Sequence, residues 1–200
     1  MFRRFSLAGI LITGTLAALP AFCQDANSYL KSEATVQEFG SFLKSTTSDG
    51  VRQSDTNSGG ILANYRYFFT KNLGAEVDYG WTRDTQSYRL PTGPFGVKSD
   101  QHEVFAAGVY RHQVGSLMTF VEAGAGGLVF APVNSLYSTQ ARAAFVYGGG
   151  ADFNVTRRVF VRAQYRGLIY NSPTFDLLPL KGIDRYVHRA EPSIGFGYRF

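Results

Sequence analysis

Eight stretches of the chain alternate apolar and polar residues with a period of two: 34–44, 58–69, 73–84, 102–113, 117–130, 141–153, 158–170 and 186–200. That period belongs to β-strands, whose side chains point to opposite faces in turn. The connections alternate as well. Residues 70–72, 114–116 and 155–157 are tight, whereas 45–57, 85–100, 132–140 and 171–185 are long and rich in Gly, Pro, Ser and Asp. Short turns at one end and long loops at the other predict an all-β, eight-stranded antiparallel up-and-down barrel. Each stretch is close to the ~9–11 residues a tilted strand needs to cross a bilayer.

The two faces of these strands decide which solvent surrounds them. Leu73, Ala75, Val77, Tyr79 and Trp81 share one side, with Glu76, Asp78, Gly80, Thr82 and Asp84 on the other. Val121, Ala123, Ala125 and Val129 oppose Glu122, Gly124 and Gly126 in the same way, and Val159, Val161, Ala163, Tyr165 and Ile169 oppose Arg162, Gln164 and Arg166. A soluble barrel of the lipocalin kind would have to pack the apolar side, aromatics included, inside a ring whose interior only just holds side chains. Turning that side to lipid removes the difficulty. The aromatics also collect at strand ends, with Tyr65, Tyr67, Phe69, Tyr110, Phe153, Tyr198 and Phe200 at the short-turn end and Trp81, Tyr170 and Tyr186 at the other. Interfacial girdles are built this way. The mean hydropathy of -0.11 argues against a bundle of membrane helices but not against a membrane barrel, whose strands average to neutrality.

A degenerate repeat supports the hairpin reading. Tyr65, Tyr110, Phe153 and Tyr198 mark successive strand ends at intervals of 45, 43 and 45 residues. That interval suits one pair of strands with one short and one long connection.

Residues 1–23 read as a signal peptide, with Arg3 and Arg4 ahead of an apolar run at 5–19 and small residues Ala21 and Cys23 before the cleavage point. Phe22 disfavours a lipoprotein, which needs a small residue just before its acylated Cys. The single Cys then leaves with the signal, which excludes disulfides, thiol catalysis and Cys-ligated metal from the mature chain. Residues 24–33 are expected as a short periplasmic segment and 34–200 as the barrel. A net charge of +5 raises nucleic acid as a partner, but the bases are scattered rather than gathered into a patch, so none is expected.

With the apolar side outward, the polar side becomes the lumen. Its acids are Glu38, Glu76, Asp78, Glu103, Glu122 and Asp152, and its bases are Arg66, Arg111, Arg142, Arg162, Arg166 and Arg199. Buried charges persist only when paired, so this set predicts an ion-pair network that plugs the lumen. Gly124, Gly126, Gly148 and Gly150 leave room for the long arms.

The C-terminal pattern Ser193-x-Gly195-x-x-Tyr198-x-Phe200 resembles the terminal signal of Gram-negative outer-membrane barrels. The mature chain as a whole is similar to the OmpA/OmpX-type small barrels. The resemblance implies an outer-membrane location, recognition of Ser193, Gly195, Tyr198 and Phe200 by the assembly machinery, and a monomer in contact with lipid and lipopolysaccharide. The chain stops at Phe200, so the peptidoglycan-binding domain that often follows such barrels is not expected.

Some barrels of this kind modify lipid A through a His-x-Ser motif. Here His102, His112 and His188 are followed two residues on by Val104, Val114 and Ala190, so no catalytic residue is expected. His102 and His188 near the long-loop end, with Ser99 or Asp100, offer at most a nucleophile–base pairing, for which interfacial histidines are the plainer account. Glu76 and Asp78 read as lumen charges rather than a glycosidase pair. The glycines at 124–127 precede no helix and form no dinucleotide loop. No cofactor or metal is expected, since no stretch gathers ligands. Arg83, Arg89, Lys98, Lys181 and Arg185 at the long-loop end are candidates for lipopolysaccharide phosphates, and the apolar 174–180 stretch is expected to cap the mouth. The sequence therefore points to a structural or surface-interaction barrel, with a narrow passive channel and a lipid A-modifying enzyme as the alternatives.

Overall fold

The computed structural model describes residues 30–43, 46–48, 51–55, 57–90, 93–134, 137–173 and 186–200. Residues 1–23, expected as a signal peptide, the 174–180 stretch, Lys181 and Arg185 lie outside the described residues.

Ten strands follow one another: β1 (Ser32–Leu43), β2 (Thr46–Ser48), β3 (Val51–Asp55), β4 (Ser58–Phe68), β5 (Leu73–Leu90), β6 (Gly93–Val114), β7 (Leu117–Pro132), β8 (Gln140–Asn154), β9 (Val159–Asn171) and β10 (Tyr186–Arg199). Every pairing is antiparallel. The eight long strands run β5-β4-β1-β10-β9-β8-β7-β6, and a further pairing between β5 and β6 closes the ring. The two short strands β2 and β3 pair with each other, and β3 adds to the outer part of β5.

The stagger of the barrel follows from its register. A path across paired residues from Arg111 runs through Phe120, Gly150, Gln164, Ser193, Phe39, Gly60 and Thr82 and returns to β6 at Gln101, 10 residues from its start. Such a shear in an eight-stranded ring tilts the strands by roughly 40°.

Two of the three tight turns are built alike. In each, a Thr hydroxyl accepts a backbone N–H three residues on, Leu73 N to Thr70 Oγ1 and Val159 N to Thr156 Oγ1, both at 2.9 Å. The third is a two-residue loop between Val114 and Leu117 whose Gly115 has φ 61°, a conformation glycine adopts without penalty. Closure joins the ends of the chain. Glu33 pairs with Arg199, and Ser32 and Phe200 exchange backbone hydrogen bonds at 3.1 and 2.9 Å. Between Phe39 and Phe42 the ladder to β10 lapses opposite Pro192, which has no N–H to give.

Two boundaries differ from the sequence reading. Strand β1 starts at Ser32, so Ser32 and Glu33 belong to the wall rather than to a periplasmic segment. Residues 85–100, expected as a loop, are mostly hairpin: β5 and β6 stay paired to Leu90 and Gly93. Polar Thr85, Gln86, Ser87 and Ser99 obscured the strand, although Gln86, Val97 and Ser99 are buried on its inner face. The hairpin carries the sheet past the rim reached by the other strands.

Close approach between neighbouring strands makes one glycine indispensable. A Cβ at Gly126 would overlap the Val104 carbonyl and lie 2.7 Å from the Phe105 Cα, whereas at Gly127 the nearest atom is 3.7 Å away. Gly126→Ala is expected to destabilise the barrel by about 1–3 kcal/mol and Gly127→Ala to be neutral. Comparing urea midpoints of the heat-modifiable folded band on gels checks both.

Candidate functional site

Among the described residues, the buried charged side chains gather on the inner wall of the barrel. Strand parity brings Arg66, Glu76, Asp78, Glu103, Arg111, Glu122, Asp152, Arg162, Arg166 and Arg199 inward, and all are buried. Nearest the short turns, the Glu33 carboxylate accepts from Arg111 Nη1 at 2.7 Å, Arg199 Nε at 2.9 Å and Arg162 Nη2 at 3.0 Å. Asp152 takes the fork of Arg162 at 2.7 and 2.9 Å and Arg199 Nη2 at 3.1 Å. At mid-height, Arg66 donates to Glu76 and, at 2.8 Å, to Glu122, which also accepts from Gln164 at 2.7 Å. Arg162 Nη1 lies 3.9 Å from Glu76 and links the two levels. Towards the long loops, Arg166 meets Asp78, Glu103 and Glu191, while Arg189 donates to Glu103 at 2.6 Å and Gln101 at 2.5 Å. Gln101 passes the chain on to Asp84 at 2.6 Å.

Two of the residues assigned to this network sit elsewhere. Glu38 is exposed on the outer face, because β1 turns Thr35, Gln37 and Phe39 inward instead. Arg142 is half-buried towards the long-loop end of β8, donates to Gln140 Oε1 at 2.9 Å, and meets no carboxylate among the described residues. Glu33, Asp84, Arg189 and Glu191 take part although the sequence reading did not single them out for the network. Among the described residues, eight buried acids therefore face six buried arginines rather than six against six. Side-chain amides make up part of the difference, with Gln164 serving Glu122 and Gln101 serving Asp84.

The lumen also holds aromatics that residue type alone assigned to lipid. Tyr170, expected in the outer girdle, is buried, with the Arg189 guanidinium 5.7 Å from its ring centre. Arg111 lies 3.5 Å over Phe68, Arg66 3.9 Å over Phe120 and Arg199 4.2 Å over Phe160. A desolvated guanidinium gains from the face of a ring. Parity would have shown this, since Phe68, Phe120 and Phe160 each stand two residues from an inward charge at Arg66, Glu122 and Arg162. Around Phe105, Leu128, Phe130, Val146 and Leu168 one side of the lumen becomes an apolar cluster.

Outside, the faces follow the sequence pattern. Val77, Val121, Ile194 and Phe196 are exposed, as are the belt residues Tyr67, Tyr110, Phe153 and Tyr198. A charged filling within a ring whose outside is apolar is the arrangement of a membrane-spanning barrel. A profile of the outer membrane protein beta-barrel domain matches residues 10–200.

The chain belongs to this family. It is a β-barrel of the Gram-negative outer membrane. Solved structures share its fold. Ail of Yersinia pestis is 20% identical, with a TM-score of 0.54 over 86% of this chain and 100% of that one. The Neisserial surface protein NspA is 16% identical, with a TM-score of 0.63 over 84% and 97%. OprG of Pseudomonas aeruginosa is 13% identical, with a TM-score of 0.59 over 86% and 96%. No curated relative matches the sequence.

The remaining candidates of this outer-membrane barrel lie on its outer rim. Arg83 grips Asp100 through both arms at 2.5 and 2.8 Å, and that pairing holds the Asp100 carboxyl below the usual carboxylate range. Lys98 is exposed beside it. Arg89 stands on β5 opposite Pro94. His102 and His188 hydrogen-bond to the hydroxyls of Tyr79 and Tyr147 at 2.9 and 2.8 Å, not to a serine.

Removing one guanidinium strands several buried acids at once. Arg166→Met is expected to destabilise by about 3–5 kcal/mol. Arg166→Lys should recover only part of this, because an ammonium lacks the planar fork. Urea titration in lipid vesicles, followed through Trp81, the single tryptophan of the chain, measures both.

Proposed function

We propose that this outer-membrane barrel is closed to solutes and serves a structural or surface-interaction role, acting neither as a pore nor as an enzyme. The observation that carries this reading is the chain of hydrogen bonds and ion pairs across the lumen, in which each of the six buried arginines among the described residues meets a carboxylate. An ion crossing it would have to break several buried pairs in succession, each at low dielectric. The outer rim supports the interaction half of the reading. There the β5–β6 hairpin projects from a rigid ring, which is where binding residues are usually carried. Lys98, and Arg89, Lys181 and Arg185 with it, are the cations proposed to meet lipopolysaccharide phosphates; Arg83 is partly committed to Asp100.

The same reading makes Ser193, Gly195, Tyr198 and Phe200 the residues that the assembly machinery recognises. Tyr198 and Phe200 present their rings outward on the last strand, where a partner reaches them before closure.

Purified protein in planar bilayers is expected to show no steady unitary conductance, and a reproducible open level would overturn the closed-lumen reading. Phe200→Ala is expected to lower the amount in the outer membrane several-fold. The purified variant should still refold in vesicles nearly as well as the parent. Immunoblots of membrane fractions set against refolding yield separate recognition from stability.

A further inference from the structure

Between its aromatic belts the barrel presents apolar, small or aromatic side chains outward on every strand, and among the described residues one charged group interrupts them. Glu38 is exposed in the middle of β1, with Leu43 five residues above and Ser32 six below. Its direct neighbours across the sheet are Ile194 on β10 and Ile61 on β4. Those two and Val36 are all more than half exposed, so the surroundings of the carboxyl are hydrocarbon. No other Asp, Glu, Lys or Arg among the described residues points outward at this depth. Arg83, Lys98 and Asp100 lie beyond Trp81, and Lys71, Arg157 and Arg158 are in the tight turns.

A carboxylate facing lipid is expensive, and even the neutral acid keeps one O–H donor and a carbonyl acceptor that acyl chains leave unmet. Glu38 meets no donor on its own chain among the described residues. A group that satisfies both needs at once is another carboxyl, paired donor to acceptor in both directions. A two-fold axis brings a residue opposite its own copy, and only a self-complementary group can sit there. The surface around Glu38 permits close approach, since Ala63, Ala190 and Pro192 are small outward residues on the flanking strands.

We propose that two copies of this chain associate within the membrane through the outer face of β10, β1 and β4, with the two Glu38 carboxyls hydrogen-bonded to each other. This replaces the monomer expected from the sequence. It depends on the membrane-facing exterior and is independent of whether the lumen conducts. Glu38 thus acts as a specificity group in a lateral contact rather than as part of the lumen.

The test uses full-length purified protein, divided into donor- and acceptor-labelled pools and reconstituted together in phosphatidylcholine vesicles over a series of lipid-to-protein ratios. Energy transfer is expected to exceed random mixing and to fall with lipid dilution along a dimer isotherm. E38L should weaken association about tenfold. E38Q should remain within about threefold, because an amide is also both donor and acceptor. Heat-modifiable mobility confirms that both variants are folded, and neither removes a contact inside the barrel. Transfer at the random-mixing level for the parent protein, which is also the outcome if a different membrane protein covers this face, overturns the proposal. So does an E38L variant that associates as tightly as the parent.

Discussion

A guanidinium inside a narrow ring with lipid outside has no route back to water, so each must find its carboxylates within the wall. That constraint organises the rest of the molecule. It fixes which parity of every strand faces inward, because a slip of one residue would carry Arg162 or Arg166 into hydrocarbon. It also demands room. At Gly80 a side chain would overlap the Glu103 carboxylate, and at Gly148 it would crowd the Glu122 Oε1 at 2.9 Å. Gly80 is thus a space shaped around a charged arm, whereas Gly124 and Gly126 answer to the backbone of the neighbouring strand. Inward rings complete the filling, lying against guanidiniums that already meet carboxylates.

Away from Glu38 the exterior answers to a different solvent and therefore carries little specific information. Val77 and Val121 need only be apolar. This division explains how barrels as far apart as 13–20% identity hold one fold. Lipid accepts nearly any apolar side chain, and a lumen can be filled by more than one set of pairs.

The strand plan was legible in the sequence because alternation and turn length are local. Faces were legible where acids alternate with large apolar residues, as in Glu76 and Asp78 against Val77 and Tyr79. They were not where both faces carry mixed residues. In β1, Glu38 follows Gln37 and precedes Phe39, and chemistry alone favours the wrong member of each pair; only the register against β4 and β10 decides. Glu33 escaped because it lies at the edge of the alternating stretch. Arg189 and Glu191 alternate with Ala190 and Pro192, which are too small to mark an outer face strongly. Partner choice was invisible, since Glu33 meets arginines 78, 129 and 166 residues away along the chain.

Those separations bear on the order of events during synthesis. Glu33 emerges with the first strand, whereas its three guanidiniums arrive with the fourth, seventh and eighth of the strands that form the ring. Until β10 is in place, the acid that anchors the lower lumen has only part of its company, and the first strand offers an open edge. Sealing the sheet and completing the coordination of Glu33 are therefore one event, since both wait for the contact between β1 and β10.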